Sequence, residues 1–105
     1  MKACLGKLHD KPVMIEVRDG IVYIDDEPEP IKNVTEADIE AFQADLDNVP
    51  ASDDEGHEAL LNAIRAAFLA KLLGNAVGDE TVSRLSHILD SVHYDVLQYL
   101  GETGD

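Results

Sequence analysis

Carboxylates and imidazoles are the side chains of this chain whose types and spacing could do chemistry. Four histidines, His9, His57, His87 and His93, invite a metal reading. Asp54-x-x-His57 and Asp90-x-x-His93 copy the carboxylate-x-x-His spacing with which helical bundles hold paired metal ions. Such a centre also needs inward-facing Glu on further helices, and Asp90 and His93 fall on the polar side of their helix. His87 and His93 lie about 240° apart around a helix axis, so they cannot chelate one ion from a shared face. Asp45-x-Asp47 followed by Asp53-Asp54-Glu55 has the beginnings of a calcium loop. Val49 and Pro50, however, stand where that loop needs oxygen ligands or glycine. Solvated acids and helix-end electrostatics account for these residues better, and neither a metal nor a cofactor is expected.

Nucleophilic chemistry finds no better footing. Ser83, Ser86 and Ser91 share a helix with His87 and Asp90, which is ordinary composition for a polar face. No G-x-S-x-G, phosphate-binding loop or dinucleotide fingerprint occurs. Cys4 falls in a strand-like run and reads as a small buried hydrophobe. The expectation is a protein that is not an enzyme.

The remaining candidate is charge. Thirteen of the twenty-two acids lie between Asp25 and Glu58, against the single base Lys32, so that segment carries −12 of a net −14. A one-signed patch steers and binds partners of the opposite sign, and it repels phosphates and anionic membranes. The partner expected is therefore a positively charged protein surface, with no direct nucleic acid and no membrane. The partner-facing residues expected are Asp25, Asp26, Glu27 and Glu29 in a proline-containing segment, Glu36, Glu40 and Asp47 on the first helix, and Asp53 and Asp54 at the start of the second. Glu36 to Asp47 spans about 16 Å at 1.5 Å per residue. Carboxylates regularly spaced on a rigid element can imitate a phosphate backbone, a device used by small inhibitors that phages and mobile elements carry against host defences. The competing explanation is solubility or a halophilic adaptation, since Asp outnumbers Glu and only five Lys occur. Clustering favours the partner, because solubility alone does not require it.

These residues must be positioned by one domain of 105 residues, 45% of them hydrophobic. A lone cysteine suits a reducing cytoplasm. The opening residues lack the apolar run of a secretory leader, and Ala59 to Leu73 is too short and too interrupted to span a bilayer.

Residues 13–25 predict a hairpin. Asp19-Gly20 between two β-rich runs is the signal for a two-residue type I′ turn. It pairs Arg18 with Ile21, Val17 with Val22, Glu16 with Tyr23 and Ile15 with Ile24. Val13, Ile15, Val17, Val22 and Ile24 then share one apolar face. Lys2 to Leu8 is expected as a third strand, with Cys4 and Leu8 joining that face. Residues 26–34 read as an extended acidic linker, because its prolines interrupt both ladders and helices. Thr35 and Asp38 form a variant capping box for a first helix that Pro50 stops, with Ile39, Phe42, Leu46 and Val49 as its buried stripe. Ser52 caps a second helix running to Leu73 with Gly74 beyond it. That helix is apolar nearly all round, apart from a narrow polar stripe at Glu58, Asn62 and Arg65. A third helix runs from Asp79 to Gly101, with Val82, Leu85, Leu89, Val92, Val96 and Tyr99 as a heptad seam; residues 102–105 are expected to fray.

The fold expected is α+β: a three-stranded antiparallel β-meander followed by three α-helices packed on one face. The function expected is a non-enzymatic acidic binding or regulatory protein, with a small homo-oligomeric assembly protein as the alternative. The apolar excess of the second and third helices makes a homodimer through one of them the expected state.

Overall fold

The computed structural model describes residues 1–50 and 55–103. It has an α+β architecture, an antiparallel sheet followed by three helices. The strands are β1 (Lys2–Leu8), β2 (Lys11–Arg18), β3 (Ile21–Ile24) and β4 (Glu27–Glu29), paired in the order β1-β2-β3-β4. The helices are α1 (Glu36–Asp47), α2 (Glu55–Asn75) and α3 (Asp79–Thr103).

Two-residue turns set the register of the whole sheet. Asp19 and Gly20 both take positive φ, 52° and 80°, and close the hairpin with the four pairs expected from the sequence. The same geometry recurs on either side. His9 and Asp10, at φ 54° and 63°, close Leu8 on Lys11, and Asp25 and Asp26, at φ 51° and 66°, close Ile24 on Glu27. Asp tolerates the left-handed region better than most residues, which is why acids can occupy these turns without glycine.

The last of these turns corrects the three-strand expectation. The segment read as a linker is a hairpin turn followed by a fourth strand, β4. In a two-residue hairpin the closing pair, Ile24 and Glu27, exchanges ladder hydrogen bonds, and the next pair, Tyr23 and Pro28, does not. Pro28 therefore sits where its missing N–H would have faced the open edge, the one place an edge strand accepts proline. Beyond Pro30 the chain bridges to the connection between α2 and α3. Ile31 pairs with Ala76, Val77 N–H donates to the Pro30 carbonyl (2.8 Å), and Lys32 N–H donates to that of Asn75 (2.9 Å).

The core face of β2 and β3 is as expected, with Val13, Ile15, Val17, Val22 and Ile24 all buried. β1 differs. A register shift between Cys4 and Gly6 inserts Leu5 as an extra residue. Ala3 and Leu5 enter the core, while Cys4 turns to the outer face opposite Met14, and Leu8 is only half buried. A period-two reading cannot anticipate a bulge, because one added residue flips every side chain that follows it. On the outer face Arg18 lies over the Tyr23 ring (3.9 Å to its centroid) and pairs with Glu16 (3.1 Å).

α1 begins with the expected capping box: Asp38 N–H donates to Thr35 Oγ1 (3.4 Å) and Thr35 N–H to Asp38 Oδ2 (2.9 Å). Ile39, Phe42 and Leu46 are its buried stripe; the helix ends at Asp47, and Val49 beyond it is half buried. α2 lies between α1 and α3. It continues through Gly74 to Asn75, and the expected Ser52 cap lies outside the described residues. It is not buried all round: Leu60, Ala63, Ala67 and Ala70 are exposed. Its inward stripe is instead Asn62, Arg65, Leu69 and Leu72, at spacings of three, four and three. Asn62 is only 5% exposed and accepts from Arg65 (3.0 Å), so two of the three residues of the expected polar stripe point inward, while Glu58 is exposed. α3 runs two residues beyond Gly101. Leu85, Ile88 and Val92 are buried, whereas Val82 at the head of the expected seam is exposed.

α3 crosses the sheet from one edge to the other. Arg84 reaches β4, and about 12 Å further along the axis Val92 rests on Gly6 of β1, close to the ~14 Å width of four strands. Past that point the α2–α3 hairpin overhangs the sheet, and Leu60, Tyr94 and Leu97 stand 55%, 62% and 65% exposed. The approach at Gly6 is close. A Cβ there would lie 2.6 Å from Val92 Cγ2, and φ is +144°. Gly20, at φ +80°, has open space around it.

These two glycines separate conformational strain from packing. Gly20→Ala is expected to cost about 1–2 kcal/mol, the price of a left-handed residue with a Cβ. Gly6→Ala adds a clash with a stiff, buried valine and should cost about 2–4 kcal/mol. Denaturant midpoints of the two variants check this; equal losses would mean that α3 does not press on β1.

Candidate functional site

Among the acids expected to face a partner, four are tied to the fold. Asp25 accepts from Met14 N–H with its side chain (3.0 Å), and its own N–H donates to the Met14 carbonyl (2.9 Å), so it staples its turn to β2. Asp26 pairs with Lys2 (3.4 Å) and at longer range with Arg18 (3.9 Å), across well-exposed side chains. Glu27 and Glu29 project from β4 to Arg84 of α3, with Glu27 at 3.2 Å and Glu29 in the closer contact. Thr81 Oγ1 also donates to Glu29 Oε2 (2.8 Å), and the Glu29 side chain is 10% exposed. The hydrogen bond that Arg84 donates to Glu29 holds its guanidinium above its ordinary pKa, partial burial opposing it. A groove of about 530 Å³ opens beside this cluster, lined by β4, the α2–α3 connection and the first turns of α3.

The α1 acids are different. Glu36, Glu40 and Asp47 lie within about 40° of one another around the helix, all exposed. Asp47 accepts from Gln43 (3.0 Å), one turn away on the same helix. None of the three forms an ion pair with a described residue. Five of the eight bases are spent elsewhere: Lys2, Arg18, Arg65, Lys71 and Arg84 pair with Asp26, Glu16, Glu58, Asp38 and the β4 acids. Asp53 and Asp54 lie outside the described residues.

Sequence reasoning missed the other side of α1. Asp38 and Asp45 face α2, where Lys71 Nζ donates to Asp38 Oδ1 (3.0 Å) and Asp45 is exposed without an ion pair among described residues. Between them Phe42 of α1 stacks on Phe68 of α2, ring centroids 4.3 Å apart and planes 7° from parallel. Only two phenylalanines occur in the chain, and their placement on the facing stripes of two helices was the available signal. The Thr35 backbone N–H, with Lys71 second, holds Asp38 below the usual carboxylate pKa.

The histidines do not converge. His9 sits in a turn, and His87 and His93 are exposed on α3. His57 Nδ1 lies 2.8 Å from the Pro50 carbonyl oxygen, which can only accept, so Nδ1 carries the proton. Among the described residues no group of three or more His, Cys, Asp or Glu is arranged to hold a metal ion. No described helix is long and apolar enough to cross a membrane. No family model, curated protein or solved structure matches the chain.

Two stability effects follow from these contacts. Arg84→Met strands the mostly buried Glu29 carboxylate and should cost about 1.5–3 kcal/mol by denaturant unfolding, much of it recovered by adding Glu29→Gln. A full-sized loss that the second change leaves untouched would mean the pair is incidental. Asp38 bears on acid stability: its folded pKa is depressed, so its contribution is present above the ordinary 3.8 and is lost as pH falls through the folded value. Asp38→Asn should therefore lower stability by about 0.5–1 kcal/mol at neutral pH, and the gap should close under acid. Melting temperatures from pH 7 to pH 2 measure this, and a gap that widens on acidification reverses the assignment.

Proposed function

We propose that this is a non-enzymatic acidic binding protein whose α1 surface, Glu36, Glu40 and Asp47, engages a basic protein surface in competition with nucleic acid. One observation carries the reading: the fold spends most of its bases on other acids and leaves this row uncompensated on a rigid helix. The row spans about 16 Å, over which one strand of duplex DNA would present about five phosphates. Three carboxylates are sparser than that. The row therefore competes by occupying a basic site, with charge setting the encounter rate, and phosphate spacing need not be copied. Inhibitors of basic host-defence proteins, of the sort phages and mobile elements carry, are the functional class that suits such a surface. The setting that goes with it is the cytoplasm, which the unpaired Cys4 suits.

A second reading, a homodimer through α2 or α3, is favoured by Leu60, Tyr94 and Leu97 on the overhanging hairpin. A monomer mass in sedimentation at micromolar concentration retires it.

The test of the first reading is capture of partners from the native host's lysate at low and high salt, followed by association rates with the captured protein. Glu36→Gln, Glu40→Gln and Asp47→Asn together should leave folding intact or slightly improved. They should slow association on the order of tenfold at low salt and flatten its salt dependence. An association rate identical to the wild type at low salt removes the acidic-surface reading; lower solubility alone would support the solubility explanation instead.

A further inference from the structure

The trough between α1 and α2 has the build of a docking groove. Its floor is the stacked pair Phe42 and Phe68 with Ile64, and its rims are the small side chains Ala41 and Ala67, both exposed. The volume is about 340 Å³. The two helices run antiparallel, so Asp38 and Lys71 close one end and Asp45 stands near the other. Asp38 to Asp45 is about 10.5 Å along the axis, two helical turns. The two ends differ in charge: Lys71 is neutralised by Asp38, whereas Asp45 has no counter-ion among the described residues. On the far flank of α1 run Glu36, Glu40 and Asp47.

We propose that this groove, on the flank of α1 away from the acid row, is where the same basic partner seats one face of an amphipathic helix. Two apolar anchors one turn apart would lie over Phe68 and Ile64, with a Lys or Arg against Asp45. This deepens the acidic-surface reading and rests on it. Helix-in-groove recognition takes anchors at i and i+3 or i+4, and two turns of groove accommodate two of them. Charge decides between occupants. A second copy of this chain carries −14 and would bring further acids towards the uncompensated Asp45, whereas a basic helix brings the missing counter-charge.

The probe is a fluorescein-labelled helical peptide of leucine and lysine, with leucines at i and i+4, compared with an oligolysine of the same length. Anisotropy titrations should show the leucine-bearing peptide binding at least tenfold tighter to the wild-type protein. Ala41→Gln with Ala67→Gln fills the groove at exposed helical positions without changing charge. That variant should lose the tenfold preference and keep its oligolysine affinity. Lys71→Met frees Asp38 and should tighten peptide binding severalfold, while Asp45→Asn should weaken it; an anion-accepting groove would give the reverse signs. Equal peptide affinity for the wild type and the filled-groove variant, with circular dichroism unchanged, overturns the groove. So does a wild-type dimer that the filled-groove variant converts to monomer, which would assign the groove to a second copy. Failure of the underlying reading shows separately, as oligolysine binding that ignores Glu36→Gln, Glu40→Gln and Asp47→Asn.

Discussion

The architecture depends on one helix reaching both edges of the sheet. At β4 the tie is electrostatic, Arg84 between Glu27 and Glu29 with Thr81 completing the Glu29 shell. At β1 the tie is steric, Val92 resting where Gly6 has no side chain. A four-stranded meander on its own has an exposed apolar face and two open edges. The helix covers the first and anchors both of the second, and α1 and α2 fill in beside it. Gly6 and Glu29 have little in common chemically, yet each is a point where α3 meets an edge strand.

The same arrangement sorts the negative charge. A net −14 on 105 residues costs stability through self-repulsion, and the fold offsets part of that by using acids as structural parts. Asp19, Asp25 and Asp26 supply left-handed turn positions, Asp38 caps a helix, and Glu27 and Glu29 hold an arginine. Glu36, Glu40, Asp45 and Asp47 form no ion pair with a described residue. Among the described residues the crowded acidic segment is thus two populations in space, one engaged in turns, caps and ion pairs and one without an ion pair.

Much of this was legible before the structure. Asp-Gly fixed the central hairpin because its backbone demand is specific, and Thr35 with Asp38 marked the start of α1 for the same reason. The candidate site was half legible: charge counting located the α1 row, but could not tell that Glu27 and Glu29 meet Arg84, 57 and 55 residues away in sequence. β4 was hidden because proline ordinarily ends a ladder, and its tolerance at Pro28 depends on which side of the strand its missing N–H faces. Composition marked Asn62 and Arg65 as part of a polar stripe without saying which way that stripe faced. Their place on the Leu69–Leu72 stripe was the better guide, and the buried Arg65 Nε, without a hydrogen-bond partner among described residues, is the cost of that position. Cys4 went to the wrong face because a bulge leaves no mark in hydrophobic alternation.

The three left-handed turns have a kinetic meaning. Each strand pairs only with its neighbour in the chain, and α2 pairs with α3 across a short connection containing Gly78. Closing such short loops costs little chain entropy, so the meander and the helical hairpin can each assemble from local contacts. The contacts that join them, Arg84 to β4 and Val92 to Gly6, close much longer stretches of chain. The larger chain-closure entropy therefore falls on the docking of the helical hairpin against the meander.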